Sequence, residues 1–325
     1  MTHHHLPALP ATAHDPLRDA LEAALAPAIR LERELSGGGM SRLFVGTQRA
    51  PARRVVVKAL PRSADTDAIR RFRREIAVTA ALHHPRVLPV LGAGETARVL
   101  YYVMPFVDGG SLADRLRDME RLSVAESVRL LRELGEALAH AHAHGVVHGD
   151  VKPDNVLLLD GHALLADFGG ARVRAARRAP HSHQAVVGTP LYMSPEQAAG
   201  DPELDARSDV YSLAVVGYEL LTGRPPFRGP SPHAVLLAHL GQPVPPLRAL
   251  RPDVPPALAL VLERALAKDP ARRFASAAAF LAALGGDARH HAVPTPRPPR
   301  TAWRVAATLA LAPALATLGA LLASG

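Results

Sequence analysis

Two aspartates, an asparagine and a lysine lie close together between residues 148 and 169, and their spacing carries chemistry. Asp150 is followed two residues later by Lys152 and five later by Asn155, and the triplet Asp167-Phe168-Gly169 comes 17 residues after Asp150. The apolar runs Val156 to Leu159 and Ala163 to Ala166 flank Asp160-Gly161, a pattern that predicts a β-hairpin. Such a hairpin turns the chain back, so that Asp150, Asn155 and Asp167 share one cleft. Oxygen ligands from Asn155 and Asp167 suit magnesium, which takes one or two carboxylates and fills its shell with substrate phosphates. Asp150 is left to meet a hydroxyl proton. Taken alone, an aspartate five residues before an asparagine is as easily an ordinary turn, and it is the later triplet that favours chemistry.

The stretch resembles the catalytic and metal-binding loops of the eukaryotic-type Ser/Thr protein kinases, especially the membrane-associated bacterial ones. In that family a His-Arg-Asp triplet leads through an asparagine to Asp-Phe-Gly. Here the residues are His148-Gly149-Asp150, Asn155 and Asp167-Phe168-Gly169, with Gly149 where the family has Arg. The resemblance implies an α+β, two-lobed fold with a β-rich N-lobe and a helical C-lobe, with ATP and Mg2+ at the site. It also implies that Asp150 takes the hydroxyl proton, that Lys152 offsets charge on the transferring group, and that Asn155 and Asp167 hold the metal. Lys152, two residues after Asp150, is the family's Ser/Thr arrangement and argues against tyrosine as the acceptor.

The elements that must position these groups follow along the chain. Asp15 to Ala26 has Pro16 in its first turn and Leu17, Leu21 and Leu25 four apart, which predicts a short amphipathic helix. Leu35 to Val45 predicts strand, glycine turn, strand. It occupies the place of the family's glycine-rich loop over the ATP phosphates, with Leu35, Ser36, Gly37, Gly38, Gly39, Met40 and Leu43 toward the nucleotide and Ser36 and Ser41 replacing two glycines. Val55-Val56-Val57-Lys58 is a β run ending in a lysine, similar to the strand whose lysine reaches the α- and β-phosphates. A helix predicted over Thr66 to Ala81 turns Phe72 and Ile76 inward and Arg70, Arg71, Arg73 and Arg74 to water, and it carries Glu75 at the place of the family's partner for Lys58. Two more strands are expected at Val87 to Gly92 and Val99 to Met104. By resemblance Met104 is the gatekeeper, Pro105 to Val107 the hinge that meets adenine, and Leu43, Val56 and Leu157 the apolar walls around the ring.

Gly109-Gly110-Ser111 opens a helix, and Val124 to His144 predicts a long one with Leu130, Leu131, Leu134, Leu138 and Ala141 inward. His140, His142 and His144 alternate, which spreads them around a helix axis and rules out a metal site on one face. Gly188 to Glu196 resembles the end of the family's activation loop and implies a scaffold pair between Glu196 and Arg273. Asp209, at the head of an apolar helix reaching Leu221, matches the aspartate that anchors the catalytic-loop backbone in the family. Between Asp167 and Glu196 the Ser and Thr residues are Ser182, Thr189 and Ser194. Ser182 is the regulatory candidate. Since Gly149 cannot pair with a phosphate, activity is expected not to require loop phosphorylation.

The 325 residues suffice for a two-lobed enzyme, and the absence of Cys excludes disulfides and thiolate catalysis. A formal charge of +8 raises the question of nucleic acid, but Arg, Ala and Pro richness is general, and aromatics at 4% supply no stacking platform. No nucleic acid partner is expected. The first 14 residues hold His3-His4-His5 without a signal-peptide pattern. Five segments are read: an extension with a short helix (1–28), the N-lobe (29–107), the C-lobe (108–284), a Pro-rich linker (285–302) and a transmembrane helix (303–323). Val305 to Ala323 is uncharged and as a helix reaches about 28 Å, enough for the hydrocarbon layer; Arg297, Arg300 and Arg304 precede it, which places the catalytic part in the cytoplasm. With no further domain after Ser324-Gly325 to pack on it, the bilayer is the expected partner. The expectation is thus a single-pass, membrane-anchored kinase acting on proteins, with a homodimer left open. A nucleotide-binding pseudokinase scaffold is the alternative, motivated by Ser36, Ser41 and Gly149.

Overall fold

A computed structural model describes residues 15–35, 40–173 and 190–285. A five-stranded antiparallel sheet is built from β1 (Ile29–Leu35), β2 (Arg42–Gln48), β3 (Arg53–Pro61), β4 (Gly92–Glu95) and β5 (Val99–Pro105), in the order β1-β2-β3-β5-β4, with the valine run of β3 at its centre. Alternation along β3 divides its side chains between two faces. Val55, Val57 and Ala59 are buried on one face with Leu21 and Leu25 of helix α1 (Pro16–Leu25). Val56 and Lys58 occupy the other. There helix α2 (Thr66–Ala81), capped by the Asp65 side chain on the Ala68 N–H, packs Phe72 and Ile76 against Leu60, Leu100 and Tyr102. Both helices follow their predicted bounds.

The strand expected over Val87 to Gly92 does not form as such. Only Gly92 enters a strand, β4. Pro85 precedes the run and Pro89 lies within it, and proline has no N–H for a ladder. The segment instead crosses to the helical part of the molecule, where it meets the hairpin of β7 (Val156–Leu159) and β8 (His162–Leu165). Leu165 N–H donates to the Arg86 carbonyl at 2.8 Å and Leu88 N–H to the Leu165 carbonyl at 2.9 Å. The hairpin turns at Asp160 and Gly161, which have φ of 52° and 77°. Two consecutive left-handed residues make the tight turn that matches strand twist, and an Asp-Gly pair tolerates them.

Beyond Ser111, whose side chain forms a capping box with Asp114, lie α3 (Leu112–Asp118) and α4 (Val124–Ala143). Leu130, Leu131, Leu134, Leu138 and Ala141 of α4 are all fully buried. The two-residue strands β6 (Val146–Val147) and β9 (Arg172–Val173) pair with one another. After them come α5 (Pro195–Ala198), α6 (Ala206–Thr222), α7 (Pro232–Gly241), α8 (Leu247–Leu250), α9 (Pro256–Ala265) and α10 (Ala277–Gly285). Helix α6 is apolar around most of its circumference, the mark of a helix with protein on all sides. It is buried almost throughout and packs against α4, α9 and α10.

The expected scaffold pair forms. Arg273 Nη1 and Nη2 meet Glu196 Oε1 and Oε2 at 2.7 and 2.8 Å, and the Arg273 side chain is completely buried. Burial pushes the Glu196 carboxyl up, but Arg273 and the Ser208 hydroxyl outweigh it and hold the group below its ordinary range. Among the described residues no helix is long and apolar enough to cross a membrane; residues 303–323 lie outside them. Replacing Arg273 by Met leaves a buried carboxylate unpaired. The expected loss is about 3–5 kcal/mol of unfolding free energy, measured as a lower urea midpoint at unchanged slope.

Candidate active site

The sheet delivers Lys58 to the cleft because β3 alternates and Val56, one turn of the pleat earlier, already faces it. Lys58 Nζ lies 2.7 Å from Glu75 Oε1 and 3.3 Å from Asp167 Oδ1. Tyr102, directly opposite Lys58 in the β3–β5 register, donates its hydroxyl to the same Glu75 oxygen at 2.6 Å. Burial works against the Lys58 charge, yet Glu75 and Asp167 outweigh it and raise its pKa. Burial pushes the Glu75 carboxyl up, and Lys58 and Tyr102 only partly offset this. At Asp167 burial is overcome by Lys58, the Gly169 N–H and His148, and the carboxyl is held low. Tyr102 was not singled out from the sequence. Period-two alternation from Met104 along β5 was the signal that reaches it.

The loop from His148 to Asn155 is built from within. Asp209, in the first turn of α6, accepts the N–H groups of His148 and Gly149 at 2.8 Å each, and His142 Nε2 meets the same carboxylate at 2.8 Å. The His148 ring is fully buried between the Asp150 N–H, 3.2 Å from Nδ1, and the Ala166 carbonyl, 3.1 Å from Nε2. This arrangement implies a proton on Nε2. On Asp150, Oδ2 receives Lys152 Nζ at 2.6 Å and Asn155 Nδ2 at 2.9 Å. Its Oδ1 is outside these bonds.

The donor set suits magnesium. Asn155 Nδ2 is turned to the Asp150 carbonyl and carboxylate, which directs its amide oxygen elsewhere. Asp167 Oδ1 takes Lys58 and the Gly169 N–H, and Oδ2 is outside those contacts. One carboxylate and one amide oxygen are what magnesium uses when phosphates and water complete an octahedron. No group of three or more His, Cys, Asp or Glu among the described residues is arranged to hold a metal without such help. Asp167 itself sits at φ 62°, and a non-glycine residue held there belongs to the strained positions that cluster at functional sites.

Of the expected apolar walls, Leu43 lies opposite Lys58 and Val56 opposite Met104 in the sheet registers. Met104 and Leu157 pack on a cluster of Val107, Leu88 and Leu164. Sheet and hairpin thus present apolar side chains from two sides. Leu35 and Met40 flank residues 36–39 in the sequence, and Met40 is exposed. Ser36, Gly37, Gly38, Gly39 and Ser182 lie outside the described residues.

Sheet, helical layer and cleft together define a protein kinase domain, and residues 29–283 match the family of that description. The chain belongs to the protein kinase family, among its eukaryotic-type bacterial Ser/Thr members. It is 40% identical over 264 residues to the serine/threonine-protein kinase PknA of Mycobacterium tuberculosis, covering 78% of this chain and 60% of that protein. To the kinase PknB of Mycolicibacterium smegmatis it is 40% identical over 259 residues, covering 77% and 41%. To PrkC of Bacillus subtilis it is 35% identical over 248 residues, covering 75% and 38%. The chain therefore spans between 38% and 60% of the length of these relatives.

Glu75 meets Lys58 as a carboxylate, so nucleotide binding that depends on the Lys58 position is present above the raised Glu75 pKa and lost as pH falls through it. Tyr102 favours the ionised form by donating to it. In Tyr102→Phe the midpoint of this acid limb is expected to move to higher pH, read from Mg-ATP affinity measured across roughly pH 4 to 8.

Proposed function

We propose that this chain transfers the γ-phosphoryl group of ATP to Ser or Thr hydroxyls of proteins. The observation that carries the reading is the meeting of Lys58, Glu75, Asp167, Asn155 and Asp150 in one cleft, in the register that membership of the kinase family implies. Phosphoryl transfer asks little covalent chemistry of a protein and much positioning and charge. Lys58, held by Glu75, orients the α- and β-phosphates. Leu43, Val56, Met104, Val107 and Leu157 bury the adenine, with Leu35, Met40 and the glycine-rich residues 36–39 over the phosphates. Asp167 and Asn155 hold magnesium, which when bound neutralises charge on the phosphates. Asp150 accepts the acceptor hydroxyl's proton at the carboxylate oxygen that Lys152 and Asn155 leave open. Lys152, close to that carboxylate, offsets charge on the group in transit.

Residues 303–323 are proposed as a single membrane-spanning anchor, joined to the catalytic domain by the Pro-rich stretch 285–302, with the kinase on the cytoplasmic side. The support is the uncharged run Val305 to Ala323 and the arginines before it.

Asp150→Asn is expected to lower phosphoryl transfer to a Ser/Thr peptide by a factor of about 10² or more, while Mg-ATP still raises the melting temperature. Asp167→Asn is expected to abolish that rise. Full transfer by Asp150→Asn in a labelled-phosphate assay overturns the reading. Deletion of residues 303–323 is expected to move the protein from the membrane pellet to the soluble fraction with transfer retained; pelleting of the folded, truncated chain at high salt overturns the anchor.

A further inference from the structure

Gly149 is the weak point of the catalytic loop. Its φ is +73°, and with no side chain its backbone has wide freedom about the bonds that lead into Asp150. The N–H of Gly149 is fixed by Asp209 Oδ1 at 2.8 Å. Its carbonyl, which shares a peptide plane with the Asp150 N–H, accepts from Gln197 Nε2 at 2.7 Å. A side chain at 149 would be strained at this φ and tightly placed, with its Cβ 3.0 Å from the Gly170 carbonyl oxygen.

Gln197 is itself held. Its Oε1 accepts the Ser194 N–H at 3.0 Å, and the Ser194 hydroxyl accepts the Gln197 N–H at 3.3 Å, a capping box at the start of α5. Oε1 fastens the amide to the segment before α5, and Nε2 reaches across 48 residues of sequence to the loop.

We propose that Gln197 is a positioning residue for Asp150, clamping the Gly149–Asp150 peptide plane from the first turn of α5, so that orientation of the base depends on how that turn is seated. The inference rests on the kinase reading. The tie is a neutral hydrogen bond and involves no phosphorylated residue.

Gln197→Glu separates this role from a structural one. Glutamate is the other residue favoured in a capping box, so α5 and the Ser194 N–H keep their partner, but a carboxylate cannot donate to the Gly149 carbonyl. In the full chain, Gln197→Glu is expected to melt a few degrees below the parent at most, because the capping box is kept and only the Gly149 carbonyl loses its donor. Its kcat for a Ser/Thr peptide is expected to fall about tenfold or more, with KM for ATP within about twofold of the parent. Amide hydrogen exchange across residues 146–152 is expected to quicken. Gln197→Ala, which loses both bonds, should show the same loss of kcat and a lower melting temperature. A Gln197→Glu chain with the kcat and exchange of the parent overturns the proposal, as does a loss of kcat in both variants that only follows their melting temperatures while exchange at 146–152 is unchanged. A parent chain without phosphoryl transfer would overturn the kinase reading, and the exchange measurement would still decide the tie.

Discussion

A single buried carboxylate governs the organisation of the catalytic loop. Asp209 is 1% exposed, and a charge so placed must be satisfied by donors. It has three, the N–H groups of His148 and Gly149 and the His142 ring, drawn from the loop and from the last turn of α4. Its position in the first turn of α6 adds the favourable end of a helix dipole. A helix buried almost throughout thus begins with a negative point to which the chemistry-bearing loop is tied through its backbone. The side chains of Asp150, Lys152 and Asn155 are left to the cleft.

The sheet contributes by a different rule. Lys58 reaches the cleft because β3 alternates, and it stays there because Glu75 and Asp167 flank it. The sheet's far face is closed by α1, from the segment ahead of the first strand. Asp15, which caps α1, and Glu34 near the end of β1 both hold Arg42, the first residue of β2. The Asp15 carboxyl is pulled down to about 2, mainly by its hydrogen bonds from Arg42. The two strands that bracket residues 36–39 are therefore pinned to one another and to α1 where they approach the cleft.

Much of this was legible in the sequence because it depends on short-range pattern. The Asp160-Gly161 hairpin, the amphipathic stretch at Thr66 to Ala81 and the apolar run reaching Leu221 each carry their signal within a few turns of chain. The Lys58–Glu75 and Glu196–Arg273 pairs were legible through family resemblance, since spacing alone does not bring residues 77 apart together. What escaped depends on tertiary placement. Val87 to Leu91 has strand composition, but Pro89 and the nearness of Leu165 draw it away from the sheet. Tyr102 looks like an ordinary core residue until the register places it opposite Lys58. The Gln197 contact with the Gly149 carbonyl leaves no trace in either local sequence, because its acceptor is backbone.

The crossing of residues 86–88 to β8 has a mechanical meaning. Leu165, which takes both of those hydrogen bonds, is two residues from Asp167, and the chain it holds is the continuation of α2, which carries Glu75. A hypothetical Cβ on Gly169 would already touch a Glu75 oxygen at 3.2 Å, so the helix rests on the turn after Asp167 as well. Both acids that face Lys58 are therefore linked to one another through this crossing, while α2 is also seated on the sheet by Phe72, Ile76 and the Tyr102 hydroxyl. Lys58 Nζ thus joins a helix packed on the sheet to the turn beyond β8, and its two distances, 2.7 Å to Glu75 and 3.3 Å to Asp167, measure in a single place how the two layers are aligned.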